Sequence, residues 1–377
     1  MIFYLIACQK DAFDTGFPAF GFRESQTPQT TLIADSSDGL NTPRDLGINP
    51  SIPGELWIVN RKDDSVTIIQ NTGLASQESM HLIDPYAFHF MEEVSSIAFG
   101  KPLHFATCQE SMNTYNGEGA PNEFMGPTLW HSDLSEFAQS NPNAVDYLSD
   151  LYGMPVDLGS HIDMLHESPL CMGITWEREN VYWVFDGYNQ SIARYDFAED
   201  HGAGYDDHSD GVIVKYVSGE IERKPDIPSH LRLHHRTGML YVADTGNNAI
   251  KVLDITSGIA GATLPVQEPG TVHFQKDNAS FTTLIHGGDY NMVYPSGITI
   301  IDDILLVSDN GTGIIHAFDL EGNEIDSYQT SAKEGGLMGI YASSAKDILY
   351  VDAKANEVWR LQSEDSDTKS LPESNEY

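Results

Sequence analysis

Cysteine is scarce in this chain: Cys8, Cys108 and Cys171 are the 3 that its 377 residues contain. That excludes a disulfide framework and a cysteine-rich zinc domain, although Cys108 and Cys171 can pair in an oxidising compartment. Basic charge is scarce as well. Against 56 Asp and Glu stand 20 Lys and Arg, a formal net charge of −36. Such a surface repels phosphate, so no nucleic-acid partner is expected, and it repels anionic lipid headgroups equally. It attracts divalent cations and basic ligands and keeps a protein soluble in salt. Long apolar runs are missing too; nothing after the first residues approaches the ~20 that a membrane span needs. What the chain does have is 32 Gly, 18 Pro and 10% aromatic residues, a mixture suited to short strands and many turns.

The ends differ from the middle. Leu5-Ile6-Ala7-Cys8 matches the lipobox that precedes the lipidated cysteine of bacterial lipoproteins. The apolar stretch before it is only Met1 to Ala7 and no Lys or Arg precedes it, so residues 1–8 read as a truncated signal or as a chance match. On the first reading the protein is extracytoplasmic, periplasmic or at the cell surface, and touches membrane only through a lipid on Cys8. Residues 9–40 are a polar tether in which residues 30–34, TTLIA, can form a strand. Residues 363–377 are acidic, poor in apolar side chains and expected to be disordered.

Between these ends lies a repeat. Its unit is an apolar strand, a turn, a second strand ending in Asp, a Gly/Asn-rich turn and a third strand. Residues 228–255 (PSHLRLHHRTGMLYVADTGNNAIKVLDI) show it most clearly. Further copies occupy residues 43–69, 93–111, 171–197, 295–320 and 336–362. Asp186, Asp244, Asp309 and Asp352 share one place in the repeat, where a carboxylate can accept hydrogen bonds from the N–H groups of the turn. Residues 80–83, 212–216, 263–267 and 324–328 are candidate fourth strands. The last copy lacks one, and residues 30–34 can supply it, closing a ring without exposed edges. The expected fold is therefore all-β: a single six-bladed β-propeller of four-stranded blades over residues 41–362, with insertions at about 112–170 and 198–211. A monomer is expected.

The segment Leu240-Tyr241-Val242-Ala243-Asp244-Thr245-Gly246-Asn247-Asn248, with P-x-G-I at residues 295–298, resembles the NHL repeat. The resemblance implies a six-bladed, TolB-like ring. Families of that shape include ligand- and protein-binding modules, sugar and lactone hydrolases, and the peptidyl-hydroxyglycine amidating lyase, which holds a zinc on its axis through histidines from separate blades. The motif is specific for fold and not for function.

Aligning the copies puts Gly47, Ser96, Gly173, His230, Gly297 and Gly339 at the axial start of each first strand, so His230 is a lone imidazole among small residues. The first insertion brings His161, Asp163 and His166 just ahead of the strand beginning at Cys171. The second, EDHGAGYDDHSDG, brings His201, Asp206, Asp207, His208 and Asp210. Imidazoles and carboxylates on different loops suit a divalent metal, with zinc favoured and iron or copper alternatives. An oxygen-rich loop suits calcium, though the EF-hand spacing is absent. The expected ligands are His161, His166, His230 and His208, with Asp163, Asp206, Asp207 and Asp210 as supporting or alternative groups. His131, His234 and His235 read as surface or turn residues, and the tryptophans as packing between blades. There is no nucleophile elbow, P-loop or dinucleotide fingerprint. Two functions stay open: an extracytoplasmic module binding a small molecule or a protein, with a divalent metal at the axial funnel, or a metal-dependent lyase or hydrolase with a His-held ion on the axis.

Overall fold

The computed structural model describes residues 28–112, 123–301 and 303–362. The lipobox with Cys8, most of the tether and the acidic tail lie outside the described residues.

Six sheets form a ring of blades. Blade 1 comprises Pro43–Ile48, Leu56–Asn60, Ser65–Gln70 and Glu78–Ile83. Blade 2 is Val94–Phe99, His104–Gln109, Thr128–His131 and His161–Met164. Blade 3 is Cys171–Arg178, Val181–Asp186, Ser191–Asp196 and Val212–Tyr216. Blade 4 is Leu231–His234, Met239–Asp244, Ala249–Asp254 and Phe281–His286. Blade 5 is Pro295–Ile301, Ile304–Asp309, Ile314–Asp319 and Glu324–Gln329. Blade 6 takes Leu337–Ser344, Asp347–Asp352 and Glu357–Gln362 from the end of the chain and Gln29–Ala34 from its beginning. The early strand pairs antiparallel with Glu357–Gln362, Leu32 standing opposite Trp359, and this closes the ring as expected.

The repeat works because a strand presents alternate side chains to its two neighbours. Each of the six apolar clusters draws on two adjacent blades: Trp57, Val59, Phe105 and Trp130 join blades 1 and 2, and Ile33, Leu46, Ile58 and Leu349 join blades 6 and 1. Trp57, Trp130 and Trp183 are fully buried in these interfaces, as the sequence implies. The conserved place of Asp in the repeat is also explained. Asp309 Oδ1 accepts from the backbone N–H of Tyr294 at 2.6 Å and Asp244 Oδ1 from that of Glu222 at 2.8 Å, so each pins the crossing that leads into its own blade. In blades 1 and 2 the same place holds Asn60 and Gln109, both buried.

Around the axis the first strands approach one another closely. A Cβ on Gly173 would lie 2.2 Å from the carbonyl oxygen of Ser229, and one on Gly339 would lie 2.7 Å from Cα of Asp45. These glycines are small because the next blade's backbone fills the space beside them, not because they face the lumen.

Two expectations need correction. The fourth strand of blade 4 is Phe281–His286, not residues 263–267. Residues 259–277 instead form a hairpin, Ile259–Thr263 with Val272–Asp277, whose second strand pairs parallel with Val212–Tyr216 and extends blade 3 to a six-stranded sheet. Pro265 inside the expected strand has no N–H for a ladder, which argues for a loop there. The region 112–170 is not wholly an insertion either. It contains the third and fourth strands of blade 2, with the helix Pro142–Tyr152 between them. His161 and Asp163 therefore lie on an outermost strand, far out along the blade, and do not approach the axis as their nearness in sequence to Cys171 suggests.

Candidate functional site

The axial cavity is lined by first-strand residues from all six blades and has a volume of about 450 Å³. Its wall is mixed: Ile97, Phe99, Ile174, Trp176, Ile298 and Ile340 alternate with Asp45, Thr175, His230, Arg232 and Thr299. It runs from the starts of the first strands, at Asp45 and His230, to the turns that end them, at Pro50, Gly100 and His235. Asp45 belongs to blade 1 and His230 to blade 4, opposite each other in the ring. The Nδ1 of His230 stands 3.6 Å from Asp45 Oδ1, beyond hydrogen-bonding distance. Asp45 is already well satisfied: Oδ2 accepts from Ser96 Oγ at 2.9 Å and from the N–H of Ile97 at 3.0 Å, and Oδ1 from the N–H of Leu46 at 2.8 Å. Among the described residues the Nε2 of His230 has the Ser95 carbonyl as its partner, at 3.5 Å. His230 is thus an axial polar group with hydrogen-bonding capacity to spare. At the other end, Trp176 and the exposed His235 face each other with ring centroids 5.6 Å apart. The sequence reading of His235 as an exposed turn residue holds, and that turn lies at the cavity mouth; Trp176, read as core, is half-buried, packing against the cluster of blades 2 and 3 while it lines the cavity. The signal for Trp176 was its position on a first strand, late enough to reach the funnel mouth.

A second polar centre lies where the outer strand of blade 2 meets the loop of residues 198–211 in blade 3. His161, His166 and His208 gather here, with ring centroids 5.6 Å apart for His161 and His208 and 6.0 Å for His166 and His208. His230 is not with them, because it lies on the axis. His208 stands between two carboxylates, Nδ1 at 2.6 Å from Asp163 Oδ1 and Nε2 at 3.3 Å from Asp206 Oδ1. Burial opposes its charge, but hydrogen bonds to Asp163 and Asp206 outweigh burial and push it up to about 10, so it is an imidazolium. His161 donates from Nδ1 to the Leu158 carbonyl at 3.0 Å, which leaves a bare Nε2 lone pair. That Nε2 and Asp163 Oδ2 are buried without a hydrogen-bond partner among the described residues. Burial holds His166 neutral and raises Glu268, and His166 Nδ1 contacts the Glu268 carboxyl. The Nε2 of His166 meets that of His89 at 3.3 Å, and its ring stacks on Phe124.

Asp163, His201 and Asp210 offer ligand atoms that all lie within 4.8 Å of one another. His201 Nε2 is 3.0 Å from Asp210 Oδ1. All three stand in the segments singled out in the sequence, with His201 in place of the expected imidazole ligands, and the group stands apart from His230. Asp207 is exposed, 3.8 Å from His201 Nδ1. Neither this group nor His161, His166 or His208 lines the axial cavity. His286, at the end of an outermost strand, is exposed and does not reach the funnel either.

Cys108, on the second strand of blade 2, and Cys171, at the start of blade 3, are joined by a disulfide, both fully buried. No helix among the described residues is long and apolar enough to cross a membrane.

No protein-family model matches the chain. No curated protein matches it in sequence. Solved structures do match in shape. A luciferin-regenerating enzyme aligns with a TM-score of 0.54 at 11% identity over 92% of this chain and 99% of that one. An auxiliary nutrient binding protein from Bacteroides ovatus ATCC 8483 gives 0.53 at 10% identity, over 90% of this chain and 78% of that one. The calcium-binding protein regucalcin from Agrobacterium tumefaciens str. C58 gives 0.50 at 12% identity, over 90% and 98%. At such identities the likeness establishes the fold alone: the chain is a six-bladed β-propeller.

Proposed function

We propose that this protein is an extracytoplasmic binding module that takes a small molecule into the axial cavity. The cavity itself carries the reading. Its volume of about 450 Å³ lies within the range of small-ligand sites, and its wall combines apolar side chains with polar groups converging from several blades, Asp45, His230 and Arg232 among them. His230 receives the ligand's polar end, the apolar side chains of the wall its body, and Trp176 with His235 its exposed edge. The resemblance in shape to a nutrient binding protein supports binding as the role, and the buried disulfide supports an oxidising compartment. A lipid on Cys8 would tether the module to a membrane. The NHL family remains the proposed kinship.

A divalent cation belongs in this reading at Asp163, His201 and Asp210. The buried, unpartnered Oδ2 of Asp163 and the strongly acidic chain support it. Its mixed nitrogen and oxygen ligands favour zinc over calcium. Metal-dependent lyase or hydrolase chemistry requires an ion beside the substrate, and this group lies outside the cavity wall, so binding is favoured over catalysis. A thermal-shift screen with a panel of small carboxylic acids, amines and monosaccharides tests the proposal. Compounds that stabilise the wild-type protein should stabilise His230→Ala at least tenfold less potently. Equal potency on both proteins would place the ligand elsewhere.

A further inference from the structure

On the far side of the loop of residues 198–211 lies another group of side chains. His104 begins the second strand of blade 2 and His131 ends the third, and the antiparallel register sets them directly opposite each other. Their ring centroids are 4.6 Å apart. Asp200 enters from blade 3 and places one oxygen, Oδ2, 3.1 Å from His104 Nε2 and 3.3 Å from His131 Nε2. Glu136 brings Oε2 to 3.4 Å from the same His131 nitrogen. The ligand atoms of His104, His131 and Asp200 all lie within 4.8 Å of one another.

Proton placement sets what this group can hold. The Nδ1 of His104 lies 3.0 Å from the Pro102 carbonyl and must carry a proton to bond it. In the neutral ring Nε2 is then a bare lone pair, aimed at a carboxylate oxygen 3.1 Å away. One added proton on His104 would let it bond both the Pro102 carbonyl and Asp200, and a cation between the two nitrogens and Asp200 can take that proton's place. The distances agree. Zinc holds nitrogen at ~2.0–2.1 Å and carboxylate oxygen at ~2.0–2.2 Å, so adjacent ligands of a tetrahedron lie roughly 3.3–3.5 Å apart. The two nitrogen-to-oxygen separations within the group are 3.1 and 3.3 Å. The Pro102 carbonyl does what a metal-bound histidine requires of its outer partner: it fixes the tautomer and the ring orientation.

We propose that His104, His131 and Asp200 form a zinc-class metal site that fastens blade 2 to blade 3. The site is separate from Asp163, His201 and Asp210, and does not depend on the proposed ligand in the axial cavity. Asp200 and His201 are consecutive, so the loop hangs between the two groups with one residue facing each. Metal here holds the start of the loop against blade 2.

The test uses the full chain, stripped with chelator and titrated with Zn²⁺ by calorimetry, with metal content measured after dialysis. Wild type, Asp200→Asn, His104→Ala/His131→Ala and, to remove the other group, His201→Ala are compared. Asp200→Asn should bind about one equivalent less zinc than wild type, or bind that equivalent roughly a hundredfold more weakly, and the double variant should lose it. The His201→Ala protein should retain it. Zinc content and affinity in Asp200→Asn equal to wild type would overturn the proposal. Should the double variant fail to fold, ¹³C-histidine spectra of the wild-type protein decide: Zn²⁺ must shift two imidazoles that Asp200→Asn leaves unshifted, and spectra shifting alike in both proteins would contradict the site.

Discussion

Closure of the ring by Gln29–Ala34 can be tested with two neighbouring residues. In this strand Leu32 is 41% exposed and Ile33 only 4%, because the strand passes from the ring's outer edge into the interface of blades 6 and 1 at an irregularity between Leu32 and Ala34. Ile33 packs with Leu40, Leu46 and Val358, in the cluster shared by blades 6 and 1. Its carbonyl also accepts from Gln77 Nε2 at 2.7 Å, tying blade 1 to the closing strand. Truncating a buried Ile to Ala costs ~2–5 kcal/mol, through lost burial and the cavity left behind. An outermost strand relaxes more easily than a central one, so Ile33→Ala should cost about 2–3 kcal/mol. Leu32→Ala should cost about 0.5 kcal/mol or less. Urea unfolding followed by tryptophan fluorescence measures both, as a shift of midpoint at unchanged slope. Equal effects of the two substitutions would refute the burial of Ile33 between blades 6 and 1. No effect from either would refute closure itself.

Three further outcomes follow from the packing. Replacing Cys108 and Cys171 by Ala releases a constraint across 63 residues and should destabilise the oxidised protein by about 4 kcal/mol in denaturant titrations; an unchanged midpoint would contradict the cross-link. Gly173→Ala forces a Cβ against the carbonyl of Ser229, 2.2 Å away, and should lower stability by ~1–3 kcal/mol; a neutral result would mean the first strands are not so closely set. Burial pushes Asp84 up to about 6 despite its bonds to Ser160 and Tyr86, so the folded state holds this proton more tightly than the unfolded chain does. Its contribution therefore favours folding at low pH and is lost as pH rises from about 4 through 6, by up to ~3 kcal/mol. Asp84→Asn cannot ionise, so the stability difference between the two proteins should change across that window; parallel pH profiles would rule the effect out.

The fold was legible because the repeat states it locally. Each second strand ends at one buried polar residue, and Leu240–Val242 or Leu305–Val307 can only sit between two blades. Legibility failed where the chain leaves the repeat. Blade 2 has its outer strands, Thr128–His131 and His161–Met164, separated by a helix, so their pairing partners are far apart in sequence. The hairpin at residues 259–277 joins a blade that the chain had already completed, and no local signal marks a parallel pairing of that kind. The polar sites were half legible for the same reason. His161, His166, His208 and Asp163 stood out by their density. His104 and His131 did not, because 26 positions separate them and only strand register sets them side by side. Being near Cys171 in sequence was mistaken for being near the axis, since a chain crossing from an outer to an inner strand traverses the whole blade in few residues.

The central claim is that ligand binds at His230 on the axis. The most direct measurement is the ¹³C-histidine NMR spectrum of the full chain, with His230 assigned by loss of its signal in His230→Ala, recorded while a compound found by thermal shift is added. The account predicts that the His230 resonance moves in proportion to occupancy while those of His201 and His208 stay in place. A compound that saturates the protein and leaves His230 unmoved would contradict it.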